Sequence, residues 1–107
     1  MTVKELTNHG FVPLALPEPD REITGVYIGD LLSWVMGRAD SGDAWLTIMS
    51  NLNILAVASL ADTACIVVTE GVTLEEDIIS SATDKNINIL SFKESTYSAA
   101  ATLYKLL

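Results

Sequence analysis

The second half of the chain alternates short apolar segments with segments of helical periodicity, and this alternation restricts the fold more than any other feature. Apolar segments typical of strands occupy residues 45–49, 64–69 and 87–90. Helical segments follow them at residues 52–60, 74–85 and 95–107. Strands that alternate with helices through short connections pair in parallel, with right-handed crossovers. The pattern therefore predicts a small layered α/β domain with a mostly parallel sheet and helices packed on it.

Shorter elements are expected before this alternation begins. Strand patterns lie at residues 11–16, where Pro13 confines the strand to a sheet edge, and at residues 23–28. One or two helical turns precede them at residues 2–9. A chain of 107 residues has the usual length of one domain. We therefore expect residues 1–107 to form a single α/β unit with short edge strands near the N-terminus.

Two local signals indicate where helices begin. Asp30 precedes an apolar stripe that runs as far as Gly37, so we expect Asp30 to cap a helix there. Thr73 and Glu76 have the spacing of a capping box, in which each side chain bonds the backbone of the other residue. This box would mark the start of the helix at residues 74–85.

The charge balance argues against two classes of partner. The chain contains six Lys and Arg residues and fourteen Asp and Glu residues, which gives a formal net charge of −8. Such a surface repels phosphate backbones and anionic lipid, so we expect no nucleic-acid and no membrane partner. The first 16 residues contain Lys4 and Glu5 and no long apolar stretch, so no secretory signal is expected. A cytoplasmic protein is the resulting prediction.

The residues that usually carry out chemistry are sparse. Cys65 is the one cysteine and His9 the one histidine, so neither an internal disulfide nor a zinc site is expected. Cys65 lies in an apolar run and is predicted to be buried and unreactive. No phosphate-binding loop and no nucleophile elbow occur in the sequence. We therefore expect no cofactor and no catalytic centre.

The helical segment at residues 52–60 is apolar on most of its sides. Leucine, isoleucine and valine recur along it, with alanines between them. A helix of this kind is buried on most of its sides. One interpretation is that a second copy of the chain covers it in a homodimer. The alternative is that the helix lies between the sheet and the N-terminal segment of its own chain.

Small and polar residues gather where the predicted parallel strands end. They are Ser50, Asn51 and Asn53 after the first strand, Thr69 and Gly71 after the second, and Ser91 after the third. Ligands of open parallel sheets bind beyond the carboxyl ends of the strands, near helix N-termini. These residues are therefore candidate ligand-binding residues. The alternative is that the polar side chains only cap the following helices.

Four stretches of the sequence together resemble a known family. They are DREITG at residues 20–25, VYIGDLL at 26–32, AWLTIMSNLNI at 44–54 and VASL at 57–60. In this order and spacing they resemble the DRTGG domain family, over nearly the whole chain. The namesake motif departs from the family pattern, because Glu22 and Ile23 are inserted and Val26 stands where a second glycine is usual.

The resemblance implies a small α/β domain that occurs alone or attached to larger regulatory and metabolic proteins. Such domains accompany CBS-domain regulators and are similar to the N-terminal domain of HPr kinase/phosphorylase, and catalysis, where it exists, lies in another domain. The motif and its surroundings add five candidate binding residues, which are Asp20, Arg21, Thr24, Gly25 and Asp30. Arg21 has two possible roles. It either clamps an anionic ligand or pins its loop to Asp20, Asp30 or a backbone carbonyl.

The sequence thus favours a non-catalytic regulatory or ligand-sensing module. We expect it to act as a homodimer through the 52–60 helix and to bind a nucleotide or another small anionic metabolite. Its partner would be a regulatory or metabolic protein. The alternatives are a purely structural dimerisation module without a ligand and an enzyme whose activity the sequence does not reveal.

Overall fold

The computed structural model describes all residues, 1–107, and places one sheet between two layers of helices. The strands are β1 (Val12–Ala15), β2 (Gly25–Ile28), β3 (Asp43–Thr47), β4 (Cys65–Val68) and β5 (Ile89–Ser91). The α-helices are α1 (Leu32–Arg38), α2 (Asn53–Ala61), α3 (Glu76–Asp84) and α4 (Thr96–Leu106). A 3₁₀ helix (Lys4–His9) precedes β1.

The sheet has the strand order β1-β5-β4-β3-β2. Strands β2 to β5 are parallel to their neighbours, and β1 pairs with β5 in the antiparallel sense. The predicted class, a mostly parallel sheet with helices packed on it, is confirmed. Pro13 lies on β1 at an edge of the sheet, as its missing N–H group requires.

The two faces of the sheet bury two separate apolar cores of 13 buried residues each. Successive side chains of a strand point to opposite faces. On β3, Leu46 therefore joins the core under α4 and the 3₁₀ helix, and Trp45 joins the core under α1, α2 and α3. Parallel sheets are stable when both faces are covered, and the two helix layers meet this requirement.

Cys65 lies at the start of β4 in the core under α4. Its side chain is buried, and this burial raises the pKa of the thiol to about 12. The thiol therefore stays protonated at neutral pH and has no access to solvent. The predicted burial of Cys65 is confirmed.

The predicted cap of α1 is wrong. The helix begins at Leu32, and no side chain bonds to its N-terminus. The carboxylate of Asp30 instead accepts hydrogen bonds from the Thr47 hydroxyl (2.8 Å) and the Ile48 backbone N–H (2.9 Å). The carboxylate is drawn to the end of β3 because that strand leaves Ile48 N–H without a strand partner. Asp30 therefore joins the ends of β2 and β3.

The predicted capping box of α3 is also wrong. The helix begins at Glu76 rather than at residue 74, and its N-cap residue is Glu75, with no side-chain hydrogen bond. The backbone before it turns sharply, since Glu70 and Gly71 both have positive φ angles, of 61° and 70°. This turn delays the start of the helix and leaves Thr73 in an irregular segment.

Helix α2 is covered by its own chain on one side only. Four of its own residues are buried on the side that packs against the rest of the chain, namely Ile54, Leu55, Val57 and Ala58. Leu60 is 75% exposed, and Leu52 just before the helix is also exposed. A single copy of the chain therefore leaves the outer side of α2 open, where Leu60 and Ala56 lie beside the uncharged polar residues Asn53 and Ser59.

Candidate functional site

A cavity of about 510 Å³ opens where β4 and β5 end, beside the edge strand β1. Four parts of the chain line it, namely β1, the segment that follows β4, helix α3 and the end of β5. Its lining residues are Gly10, Val12, Leu14, Gly71, Val72, Thr73, Leu74, Ile79, Ser91, Phe92 and Lys93. It lies beyond the carboxyl ends of parallel strands, where ligands of such sheets bind, and its size is typical of small-molecule sites.

One wall of the cavity is built by the turn after β4. Val72 N–H donates to the carbonyl of Thr69 (3.2 Å) and closes this turn. Gly71 N–H donates to the carbonyl of Phe92 (3.2 Å) and ties the turn to the chain after β5. Gly71 has a positive φ of 70°, a conformation that glycine adopts without strain. The turn thus brings the segment 71–74 to face β1.

The interior of the cavity is largely apolar. Val12 and Leu14 of β1 face Val72, Leu74 and Ile79, and Leu14, Val72, Leu74 and Ile79 also pack against the core under α3. This arrangement leaves an apolar surface accessible to a ligand at the edge of the sheet. The cavity can therefore accept an apolar group of a ligand.

Three residues with polar side chains also line the cavity, namely Thr73, Ser91 and Lys93, and the exposed Lys93 lines a neighbouring cavity of about 250 Å³ as well. Neither hydroxyl makes a hydrogen bond within the chain. Lys93 forms no ion pair, unlike Lys4 and Arg21. The lining thus includes one lysine and two hydroxyl residues whose side chains have no partner within the chain.

Thr69 and Glu70 precede the wall residue Gly71, and their side chains form hydrogen bonds at the start of α4. The Thr69 hydroxyl is buried and lies 2.6 Å from the Thr96 hydroxyl. The Glu70 carboxylate accepts a hydrogen bond from the Thr96 backbone N–H (2.7 Å). Thr69, a candidate binding residue, therefore lies behind the cavity wall and not in the cavity.

The candidates that follow β3 lie elsewhere. Ser50, Asn51 and Asn53 are exposed and line none of the three cavities of the protein. Asn51 accepts a hydrogen bond from Asn53 N–H (2.9 Å) through its side-chain oxygen, which shapes the entry into α2. This contact matches the alternative in which these residues only organise a helix start.

Arg21 lies at the opposite end of the sheet and pins its own loop. Its guanidinium donates to the carboxylate of Asp62 (3.2 Å) and to the Asp62 carbonyl (2.9 Å). Asp62 follows α2 with a positive φ of 58° and also accepts a hydrogen bond from the Ser41 hydroxyl (2.5 Å). These contacts, that of Ser41 first, hold the pKa of the Asp62 carboxyl below its usual range. Neither Asp20, which is exposed and 3.9 Å from Lys4, nor Asp30 is the partner of Arg21.

Thr24 and Gly25 of the DREITG motif hold the turn before β3. Thr24 N–H donates to the carbonyl of Gly42 (3.0 Å). A Cβ atom at position 25 would lie 2.5 Å from the Asp43 carboxylate, so a larger residue here would have to displace that buried side chain. Asp43 is buried and accepts a hydrogen bond from Asp40 N–H (2.8 Å). The motif contacts chain segments rather than an open cavity.

A second cavity, of about 220 Å³, adjoins Arg21, Asp62 and Lys85. It is mainly polar, but its guanidinium is already bonded to Asp62. No group of three or more His, Cys, Asp or Glu side chains comes together to hold a metal ion. None of the helices combines the length and apolarity that a membrane crossing needs. The larger cavity is therefore the best candidate site.

The structure separates the predicted site residues into two groups at opposite ends of the sheet. Only Gly71 and Ser91 meet in the larger cavity. Sequence reasoning missed Lys93, the two wall residues of β1, Val12 and Leu14, and Thr73, which it placed only in a capping box. A cation just after the last predicted strand was the available signal for Lys93. No local signal pointed to the β1 residues.

Comparisons with known proteins agree with this architecture. The family model described as the DRTGG domain matches residues 26–106. A solved structure of the CBS and DRTGG domains of the regulatory region of Clostridium perfringens pyrophosphatase, complexed with the activator diadenosine tetraphosphate, is similar, with a TM-score of 0.70 and 17% sequence identity. The similarity covers 92% of this chain and 44% of that one, and at this identity it shows the fold. Among curated proteins no match is found.

Proposed function

Since the chain belongs to the DRTGG domain family, we propose that it is a non-catalytic regulatory module that senses a small anionic metabolite. The observation that carries this proposal is the 510 Å³ cavity, with Lys93 as a free cation at the carboxyl ends of β4 and β5. The similar regulatory region from Clostridium perfringens pyrophosphatase forms a complex with a nucleotide activator, which supports nucleotides as one class to test.

The lining of the cavity favours binding over catalysis. No carboxylate, histidine or cysteine side chain lines it. A bound molecule would therefore meet hydroxyls and an ammonium group but no general base to activate them. This composition suits a site that recognises a metabolite and leaves it unchanged.

The position of the cavity suggests how binding is transmitted. A ligand would contact the segment 71–74, whose neighbour Glu70 holds the N-terminus of α4 through Thr96 N–H. Ordering this segment would also order the start of α4, on the other face of the sheet. The partner that responds would be a regulatory or metabolic protein, and the setting would be the cytoplasm.

We expect a substitution that fills the cavity to abolish ligand binding. Ile79→Trp places a large ring in the cavity wall at the one position that α3 contributes to it, while Ile48→Trp adds the same ring at an exposed position outside the cavity. The measurement is a thermal-shift screen of the natural sequence with adenine nucleotides and small organic acids, repeated on both variants. A ligand that stabilises the natural protein should stabilise Ile48→Trp and not Ile79→Trp. If no compound stabilises the natural protein, the sensing function is refuted.

A second observation favours a homodimer through α2. Its sequence, NILAVASLA, carries no charged side chain in a chain with a net charge of −8. Two acidic copies repel one another least where they meet through an uncharged surface. The outward side of α2, with Leu52 and Leu60 exposed, offers such a surface, and a two-fold axis would place it against itself. We propose that the occupant of this surface is a second copy of the chain.

A charge on this surface should separate the copies. Leu60→Glu puts a carboxylate where two copies would meet, and we expect it to turn a dimer into a monomer without unfolding the chain. Tyr104→Glu is the matched control, since Tyr104 is 87% exposed on α4, in the other helix layer. Light scattering after size-exclusion chromatography measures the mass of each form. A natural chain that is monomeric at high micromolar concentration would contradict the dimer.

A further inference from the structure

The polar residues in the lining of the cavity suggest the chemical class of its ligand. Building on the proposed function, we infer that the cavity binds a small organic carboxylate with an apolar body. The carboxylate would lie at Lys93, Ser91 and Thr73, and the apolar body would lie against Val12, Leu14 and Ile79.

The residues that line the cavity include several hydrogen-bond donors without partners in the chain. Besides the Lys93 ammonium and the two hydroxyls, the backbone N–H groups of Thr73, Leu74 and Lys93 donate to no acceptor within the chain. A carboxylate has two oxygens and about four acceptor positions. An anion with several acceptor positions and one charge therefore matches this set of donors, and the attraction to an unpaired ammonium strengthens each bond.

The rest of the lining disfavours a nucleobase. Its amino and ring N–H groups need acceptors once they leave water, and each unpaired group costs about 1–3 kcal/mol. No Asp, Glu, Asn or Gln side chain lines the cavity, and valine, leucine and isoleucine residues make up much of its lining. Hydrocarbon or phenyl groups lose no hydrogen bonds when they bind to such a surface, and the burial of their apolar area stabilises the complex.

The surrounding charges disfavour a polyphosphate. Lys93 is the one cation that lines the cavity. Glu75 and Glu76 follow the wall residue Leu74 directly, and the whole chain has a net charge of −8. A second or third phosphate would meet these negative charges without a further cation to balance it. A monoanion fits the local balance of charge better than a nucleoside di- or triphosphate.

The test compares matched ligands on the natural chain. Octanoate and 3-phenylpropionate are titrated against ¹⁵N-labelled protein, alongside the neutral 3-phenylpropionamide and the nucleotides AMP and ADP. We expect both carboxylates to shift the backbone resonances of Thr73, Ser91 and Lys93. The amide should bind about tenfold more weakly, because it loses the charge-assisted bonds to Lys93. The nucleotides should bind more weakly than either carboxylate.

Two variants locate the anion. Lys93→Gln should weaken carboxylate binding about tenfold and leave amide binding unchanged. Lys105→Gln, which removes an exposed lysine of α4 outside the cavity, should change neither. Carboxylate binding that is the same in Lys93→Gln overturns the inferred anchor. Nucleotide binding at these resonances without carboxylate binding overturns the ligand class but keeps the sensing function. No shift at the cavity with any compound refutes both.

Discussion

Replacing Trp45 by alanine is expected to lower the free energy of unfolding by about 3–5 kcal/mol. Trp45 lies on β3 in the middle of the parallel sheet and is fully buried in the core under α1, α2 and α3. Its indole N–H donates a hydrogen bond to the carbonyl of Gly29 (2.9 Å), so truncation both opens a void and removes this bond. Domains of this size are stable by about 5–15 kcal/mol in total, and the variant should be only marginally folded.

Chemical denaturation monitored by circular dichroism measures this loss, and the second tryptophan provides the control. Trp34 is 52% exposed on α1 and stacks with the Arg38 guanidinium, 3.8 Å from the ring centre. Its replacement by alanine should cost about 1 kcal/mol or less, since an exposed cation–π contact contributes about that much. Equal losses in the two variants would contradict the buried position of Trp45.

The central part of the sheet could be predicted from the sequence because its signal is local. Strands β3, β4 and β5 are short apolar runs, and each is followed by a segment of helical periodicity. Both features depend on neighbouring residues alone. The start of α1 could not be predicted in the same way. Asp30 is a good helix cap in isolation, but the end of β3 offers its carboxylate two donors.

The candidate site was only partly predictable. Gly71 and Ser91 were found because the carboxyl ends of parallel strands meet at one edge of a sheet. The wall opposite them belongs to β1, whose pairing with β5 joins the two ends of the chain. Pro13 predicted an edge strand but not which neighbour it would take. Since Val12 and Leu14 reach the cavity only through that pairing, no local pattern could indicate them.

Arg21 illustrates the same limit at the other end of the sheet. Its type and its loop predicted a bond to a carboxylate or a carbonyl, and the structure contains both. The partner, Asp62, is far away in the sequence and is presented by the left-handed backbone at the end of α2. The kind of group that a residue binds can therefore be predicted from its type, but the identity of its partner depends on how distant segments pack.

A buried amide that sequence reasoning overlooked gives the second large expected effect. Asn88, just before β5, is buried, and its side-chain nitrogen donates to the carbonyls of Glu18 (2.7 Å) and Ala64 (3.1 Å). Its side-chain oxygen accepts from Glu18 N–H (2.9 Å). These bonds join the loop before Arg21 to the amino ends of β4 and β5. Asn88→Ala removes all of them and leaves backbone groups without partners, so we expect a loss of about 3 kcal/mol in the free energy of unfolding.

The positions at which hydrogen exchange accelerates distinguish this hydrogen-bonding role of Asn88 from a simple loss of side-chain volume. Because the two bonds to Glu18 hold the loop, hydrogen exchange at the Glu18 amide should accelerate in Asn88→Ala much more than exchange in β3. Asn53→Ala is the matched control, since Asn53 is exposed and its side chain makes no hydrogen bond within the chain, and it should change stability by less than about 0.5 kcal/mol. Similar denaturation midpoints for the two variants, or unchanged exchange at Glu18, would mean that the amide of Asn88 does not hold the loop to the sheet.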